Sequence, residues 1–164
     1  MRKNEGARIA NCSVARALDV FGDRWSLLIL REAHIGVTRY VDFKEYLGIS
    51  TDVLAERLHG LVGSGLLEQR SYHEPGTRLR FSYHLTEAGK GTKTLVAAIQ
   101  QWGDVYRPRA DGPTIARRDS LSGGQLRVAI VSEDGISVPP DRLEFKTLVR
   151  DACPYGIWES GKLQ

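Results

Sequence analysis

A chain of 164 residues can hold one domain of ordinary size, or one such domain with an appendage too short to fold well by itself. Its 41% hydrophobic and 26% charged residues suffice for a buried core and exclude wholesale disorder, while a net charge of +3 and a pI near 9.0 permit a polyanionic partner without requiring one. No apolar run reaches the roughly 18 residues of a membrane span, and the polar start from Met1 to Ala10 lacks the apolar stretch of a secretory signal, so a cytoplasmic location is expected. The two cysteines, Cys12 and Cys153, have no CxxC spacing and indicate neither a disulfide framework nor a zinc site.

In chain order, Ser13 precedes Val14, Ala15, Ala17, Leu18 and Phe21, a helical spacing with Ser13 as expected N-cap and Gly22 as the stop. Asp23 caps a second helix in which Trp25, Leu28, Ile29 and Ala33 share a face that Leu27 and Leu30 widen, as a central buried helix requires. A brief third helix is expected from Val41 to Leu47, ended by Gly48 in the left-handed conformation. After the turn Gly48-Ile49-Ser50, a fourth helix capped by Ser50 carries Leu54, Leu58, Leu61 and Val62 on one stripe, which makes a helix-turn-helix.

Leu66 to Tyr72 and the alternating Leu79 to Leu85 read as two strands joined by a turn at His73-Glu74-Pro75-Gly76, a hairpin in the position of a wing. Thr86 then caps a long helix with Leu95, Ile99, Trp102 and Tyr106 on one seam, too long and apolar to be left in water, so a partner subunit is the simplest cover. Thr114 to Gly124 is polar and Gly-rich enough to act as a linker. Beyond it, strands are expected through Leu126, Val128 and Ile130, again at Ile136 to Val138, and at Leu143 to Leu148; the tail from Asp151 gives no signal. The expected fold class is thus α+β and mainly helical: a winged helix-turn-helix with a long dimerisation helix over 1–112, a linker over 113–124, and a small β appendage over 125–164.

This order of elements points to double-stranded DNA. The major groove admits an α-helix and shows each base pair as a distinct donor and acceptor pattern, so a reader helix must be buried on one side and open on the other. Opposite its apolar stripe the fourth helix presents Asp52, Ala55, Glu56 and His59, with Ser50 and Thr51 at its tip. Ser50 and the backbone N–H groups beside it suit a phosphate, although Ser50 is first of all a cap. Arg39, Arg78 and Arg80 are the expected flanking cations, and Arg57 is a further candidate contact with an intrahelical ion pair as its alternative. Asp52 and Glu56 disfavour phosphates, so affinity must lean on those cations.

At this point the residues resemble the HxlR-type winged-helix regulators of bacteria. The resemblance rests on Cys12-Ser13-Val14-Ala15-Arg16-Ala17-Leu18, Trp25-Ser26-Leu27-Leu28-Ile29-Leu30-Arg31-Glu32, Gly48-Ile49-Ser50, Val53-Leu54-Ala55-Glu56-Arg57-Leu58, Gly65-Leu66-Leu67 and Leu85-Thr86-Glu87-Ala88-Gly89, in the family's order and spacing. It implies a homodimer on inverted-repeat operators that represses or activates nearby genes, with the first and last helices as the interface, which places Val14 and Leu18 beside Leu95, Ile99, Trp102 and Tyr106. It also implies that the position of Cys12 serves some members as a sensor of oxidants or electrophiles. Family members often carry Cys-Pro-Val where this chain has Cys12-Ser13-Val14, and many lack the stretch after Gly112.

A redox role for Cys12 has a direct physical basis, because a helix start favours the thiolate and Arg8 and Arg16 can add positive charge; the alternative is an ordinary thiol packed in the interface. Trp25 and Trp102, with the apolar residues between the second and last helices, are expected to be core, with a small-molecule pocket as the alternative. His34, His59, His73 and His84 make no metal pair, and no catalytic constellation or phosphate loop is visible, so no cofactor, no metal and no enzymatic activity are expected. The opposing class is a winged-helix module that contacts proteins and does not read DNA.

Overall fold

The structure, a computed structural model, describes residues 12–73, 76 and 78–146. The chain divides into two compact units, 23–129, and 1–22 together with 130–164. The division expected from composition, at 112 and 124, does not coincide with these units, because residues 113–129 are fastened to the winged body.

Within the larger unit, α2 (Arg24–His34) is the central element, with Ile29 and Leu30 fully buried. Asp23 caps it as its sequence requires, Oδ1 accepting from the N–H groups of Trp25 (2.9 Å) and Ser26 (3.0 Å). α3 (Tyr40–Leu47) buries Phe43 and ends at Gly48, whose φ of 59° is the left-handed conformation that a side chain would disfavour. Ile49 is buried in the turn, and α4 (Thr51–Gly63) follows, its Leu54, Leu58 and Leu61 closing the core.

Strand β1 (Leu67–Tyr72) pairs antiparallel with β2 (Arg80–Leu85), from Leu67 opposite Leu85 to Tyr72 opposite Arg80. The sheet has a third contributor that the sequence did not announce: the Tyr83 N–H donates to the Thr38 carbonyl at 2.7 Å and Arg39 bridges to Ser82, so the link between α2 and α3 lies along β2. Its stretch is too short to show a strand period.

The expected single helix after Thr86 is two helices, α5 (Glu87–Gly91) and α6 (Lys93–Tyr106), broken at Thr92. Gly89 and Gly91 weaken helix propensity there, and the Thr92 hydroxyl takes the Gly89 carbonyl at 2.7 Å. Gly89 lies so close to the Leu66 carbonyl that a Cβ would overlap it.

Residues 113–129 run along one side of α6. Gln101 takes both backbone groups of Val128, donating from Nε2 to its carbonyl (2.9 Å) and accepting its N–H at Oε1 (2.7 Å). Gln100 Nε2 donates to the Ile115 carbonyl at 2.6 Å, and Arg117 pairs with Asp104 at 2.9 Å. The stretch expected to be a linker is therefore a strap. Because Gln101 occupies the hydrogen-bonding groups of Val128, the expected strand through 126 and 128 shrinks to Ile130–Val131.

The smaller unit contributes α1 (Ser13–Phe21) and the hairpin β3 (Ile130–Val131) with β4 (Ser137–Val138), followed by a 3-10 turn over Pro140–Arg142. Cys12 occupies the N-cap of α1 in place of the expected Ser13, whose hydroxyl accepts from Arg16 at 3.1 Å. Residues 143–146 form no strand; the remainder of the third strand expected at Leu143 to Leu148, the tail, Cys153 and Arg8 lie outside the described residues.

Candidate nucleic-acid interface

The helix α4 meets the requirement set for a reader. Its Leu54, Leu58 and Leu61 are buried, and Thr51, Asp52, Ala55, Glu56 and His59 are exposed, with Ser50 exposed at the tip. Ser50 holds the N-cap backbone conformation (φ −66°, ψ 151°) but makes no side-chain cap hydrogen bond. Helix geometry explains the division: at about 100° per residue, positions 52, 55, 56 and 59 cluster opposite positions 54, 58 and 61.

Arg57 behaves differently from the other candidate contacts. It is half-buried and turned toward α2, with Nε 3.2 Å from Asp23 Oδ1 and Nη1 3.0 Å from Glu56 Oε1. The sequence offers an intrahelical ion pair for Arg57 without naming its partner, which the structure makes Glu56; the pair with Asp23 is one that the sequence does not offer. The signal was nonetheless present, since Arg57 falls about 70° from the centre of the apolar stripe, on its flank, at 100° per residue.

Burial pushes the Asp23 carboxyl up, but hydrogen bonds from the Ser26 hydroxyl and from the N–H groups of Ser26 and Trp25, with the Arg57 guanidinium, outweigh it and hold the group below the usual carboxylate range. A second polar tie was also missed: the Tyr40 hydroxyl donates to the Thr51 carbonyl at 2.8 Å, joining α3 to the first turn of α4. Burial, with Tyr83 and Asp52 nearby, raises the pKa of Tyr40, which keeps it a donor.

On the wing, the register places Arg70, Tyr72, Arg80 and Ser82 on the face opposite the core side chains Leu67 and Tyr83. Arg39 joins them, its guanidinium 5.2 Å from the centre of the Tyr72 ring. Arg39, Arg78 and Arg80 are exposed, and each keeps an interaction within the chain. Arg70, the addition that the period of two in β1 could have supplied, pairs with Glu68 at 2.6 Å on the same face. The expected cations Arg39 and Arg80 therefore share one side of the wing, with one acid among them.

The seam on α6 is open. Ile99 (47% exposed), Trp102 (56%) and Tyr106 (66%) stand out with Leu95, and no residue of α6 is buried. Val14 and Leu18 are likewise exposed on α1. A cavity of about 170 Å³ lies between α2 and α6, lined by Leu27, Leu28, Arg31, Val96, Ile99 and Gln100. Neither Trp25 nor Trp102 lines it: Trp25 carries the Arg24 guanidinium 4.3 Å over its ring, and Trp102 tilts against Tyr106. Its size suits a single ring at most. Among the described residues no group of His, Cys, Asp and Glu is placed to hold a metal, and no helix is long and apolar enough to cross a membrane.

A central buried helix, a tight glycine turn, a half-buried second helix and a basic hairpin define the winged helix-turn-helix class. Residues 20–111 match the model of the HxlR-like helix-turn-helix family, and the chain belongs to that family. It is 43% identical over 111 residues to an uncharacterized HTH-type transcriptional regulator of Mycobacterium tuberculosis, covering 68% of this chain and 69% of that one. It is 27% identical over 108 residues to the regulator YdeP of Bacillus subtilis, 65% of this chain and 83% of that one. Among solved structures, the candidate transcription factor PA1607 superposes with a TM-score of 0.72 at 34% identity, over 82% of this chain and 94% of its own. The reduced form of the redox regulator HypR superposes with a TM-score of 0.52 at 26% identity, over 57% and 92%. The match to PA1607 reaches further into this chain than the family model does, so that protein resembles it beyond the winged domain.

Proposed function

We propose that this protein is a sequence-specific DNA-binding regulator, a repressor acting in the cytoplasm as a homodimer on inverted-repeat operators, and that it performs no catalysis. The observation that carries the reading is the two-sided character of α4: a fully buried leucine stripe on one face and Thr51, Asp52, Ala55, Glu56 and His59 in water on the other. Membership of a family of transcriptional regulators supports it. Ser50 and the first-turn N–H groups supply a phosphate contact, and Arg39, Arg78 and Arg80 supply the cations that a reader helix carrying Asp52 and Glu56 lacks.

The dimer rests on α6. One side of that helix faces α2, a second takes the strap, and the third presents Leu95, Ile99, Trp102 and Tyr106, an apolar strip suited to a second copy of itself. A two-fold dimer places its readers about 34 Å apart, one helical turn of DNA or a multiple.

Fluorescence anisotropy with DNA from upstream of its own gene, over a range of salt, tests the reading: log affinity falls linearly with log salt, and footprinting shows two half-sites related by a dyad. Binding without a salt slope, or none at all, leaves the alternative of a module that contacts proteins.

Regulation by oxidation belongs to the same proposal. Cys12 is a free, half-buried thiol at the N-cap of α1, and the similar HypR is a redox regulator. Diamide or a quinone is expected to release DNA from the wild type and not from Cys12→Ser; equal release from both removes the cysteine from the mechanism.

A further inference from the structure

We propose that Asp23 is a positioning residue that sets the tilt of the reader helix through Arg57, an inference that rests on α4 reading DNA. The Asp23 carboxylate is held rigidly. Oδ1 accepts two backbone N–H groups at the start of α2, and Oδ2 accepts the Ser26 hydroxyl at 2.5 Å, Ser26 itself being buried. Its side chain is thus anchored to the helix that carries Ile29 and Leu30, both fully buried. From that anchor it meets Arg57 at 3.2 Å, the middle residue of the 13-residue α4.

The leucine stripe of α4 holds the helix against the body, but apolar contact is non-directional and tolerates rolling and sliding. Two polar contacts limit that freedom, a hydrogen bond at the start of the helix and, at its midpoint, an ion pair in which the buried Arg57 Nε approaches the carboxylate without making a hydrogen bond. Tyr40 grips the first turn of α4 through the Thr51 carbonyl at 2.8 Å, and Asp23 grips its midpoint through Arg57. Two fixed points on a helix determine its axis, and a reader must meet base edges within a few tenths of an ångström. Arg57 is therefore spent on the body of the protein and not on the DNA backbone.

This assignment separates cleanly from a phosphate contact. A phosphate-contacting arginine weakens binding to all sequences alike and lowers the salt slope by about one when it is removed. A positioning pair weakens binding to the operator relative to unrelated DNA and leaves the slope intact. Arg57→Met keeps the side-chain stem and leaves the α2 cap untouched; Asp23→Asn keeps a capping oxygen and removes the charge.

In the full-length protein, each variant is expected to lose about tenfold in operator affinity with an unchanged salt slope and unchanged affinity for unrelated DNA, and the double variant to be no weaker than the worse single one. Residual dipolar couplings of the same variants, measured without DNA, are expected to show the α4 amides reoriented relative to α2. A slope lowered by about one in Arg57→Met, with equal losses on all DNA, makes Arg57 a phosphate ligand and overturns the proposal. Unchanged dipolar couplings overturn it as well. A wild type that binds no DNA removes the reading on which the role rests, while the couplings still decide whether the pair sets the tilt.

Discussion

Helices α2 and α6 carry apolar stripes of similar breadth and meet opposite fates. In α2, 11 residues long, Ile29 and Leu30 are fully buried and even Glu32 is buried, its carboxylate taken by Arg31. In α6, 14 residues long, none is buried. The difference lies in what the rest of the chain covers, not in local sequence, for α2 is surrounded by α3, α4, α6 and the sheet, whereas the sides of α6 that the chain covers leave Trp102 and Tyr106 in water. That uncovered apolar face is where the proposed dimer places its second copy.

The contrast is broken or sharpened first at α2. Leu30→Ala leaves a cavity at a fully buried position and is expected to cost about 2–5 kcal/mol, independent of protein concentration. A loss below about 0.5 kcal/mol in urea denaturation, the scale of an ordinary surface substitution, would mean that α2 is not the core.

Trp102→Ala acts on the other helix and by another route. It should leave the fold of the subunit in place, as judged by circular dichroism, and raise the dimer dissociation constant about 30-fold or more, the expected cost of truncating an aromatic anchor at the centre of an interface. Sedimentation velocity reads this directly, and the melting temperature of the wild type should rise with its concentration, with that of the variant rising only at correspondingly higher concentrations. A wild type that sediments as a monomer at all concentrations contradicts the proposed use of the α6 face.

The same contrast accounts for what the sequence disclosed. Periodicity identified α2, α3, α4 and both wing strands, because their apolar residues recur at the period of the element, and Asp23 at the start of α2 and Gly48 at the end of α3 are local signals. It also sorted the exposed side of α4 residue by residue. It did not disclose the ion pair of Arg57 with Asp23 or the hydrogen bond from Tyr40 to Thr51, since a tertiary polar contact leaves no mark on the period of either partner. The strap was misjudged for a related reason: it is held to α6 through the backbone carbonyl of Ile115 on Gln100 and through Arg117 on Asp104, and a backbone acceptor or a single cation looks the same in a strap as in a free linker. The break at Thr92 was legible in Gly89 and Gly91, which the long apolar seam outweighed in the reading.

Removing the strap's hold sharpens the comparison on a smaller scale. Gln101→Met takes away both partners of Val128, so its amide hydrogen is expected to exchange about tenfold faster, corresponding to a local loss near 1 kcal/mol. The amides of Ile29 and Leu30 should keep their protection. Loss of protection throughout both helices would mean that the strap belongs to the core rather than lying along one side of α6.

The smallest effect sits where the two helices meet. His34 ends α2, and its Nε2 lies 3.0 Å from the hydroxyl of Thr92, the N-cap residue of α6. That hydroxyl already donates to the Gly89 carbonyl, so Nε2 must carry the proton in this bond, and the ring can be neutral with Nδ1 bare. Burial, and then the nearby Lys93, lower the pKa of His34 below 6.5; His84 on the wing is lowered by burial and by Arg70, against Glu68. A histidine with a lowered folded pKa binds fewer protons folded than unfolded. Its contribution is therefore fully present above pH 6.5 and is lost as the pH falls through the lowered value. Denaturation midpoints should decline between pH 7 and pH 5, and His34→Gln, which keeps an N–H donor for Thr92 and cannot titrate, should flatten part of that decline. If the variant declines as steeply as the wild type, the proton uptake belongs to His84 or to groups elsewhere, and the junction of α2 with α6 is insensitive to pH.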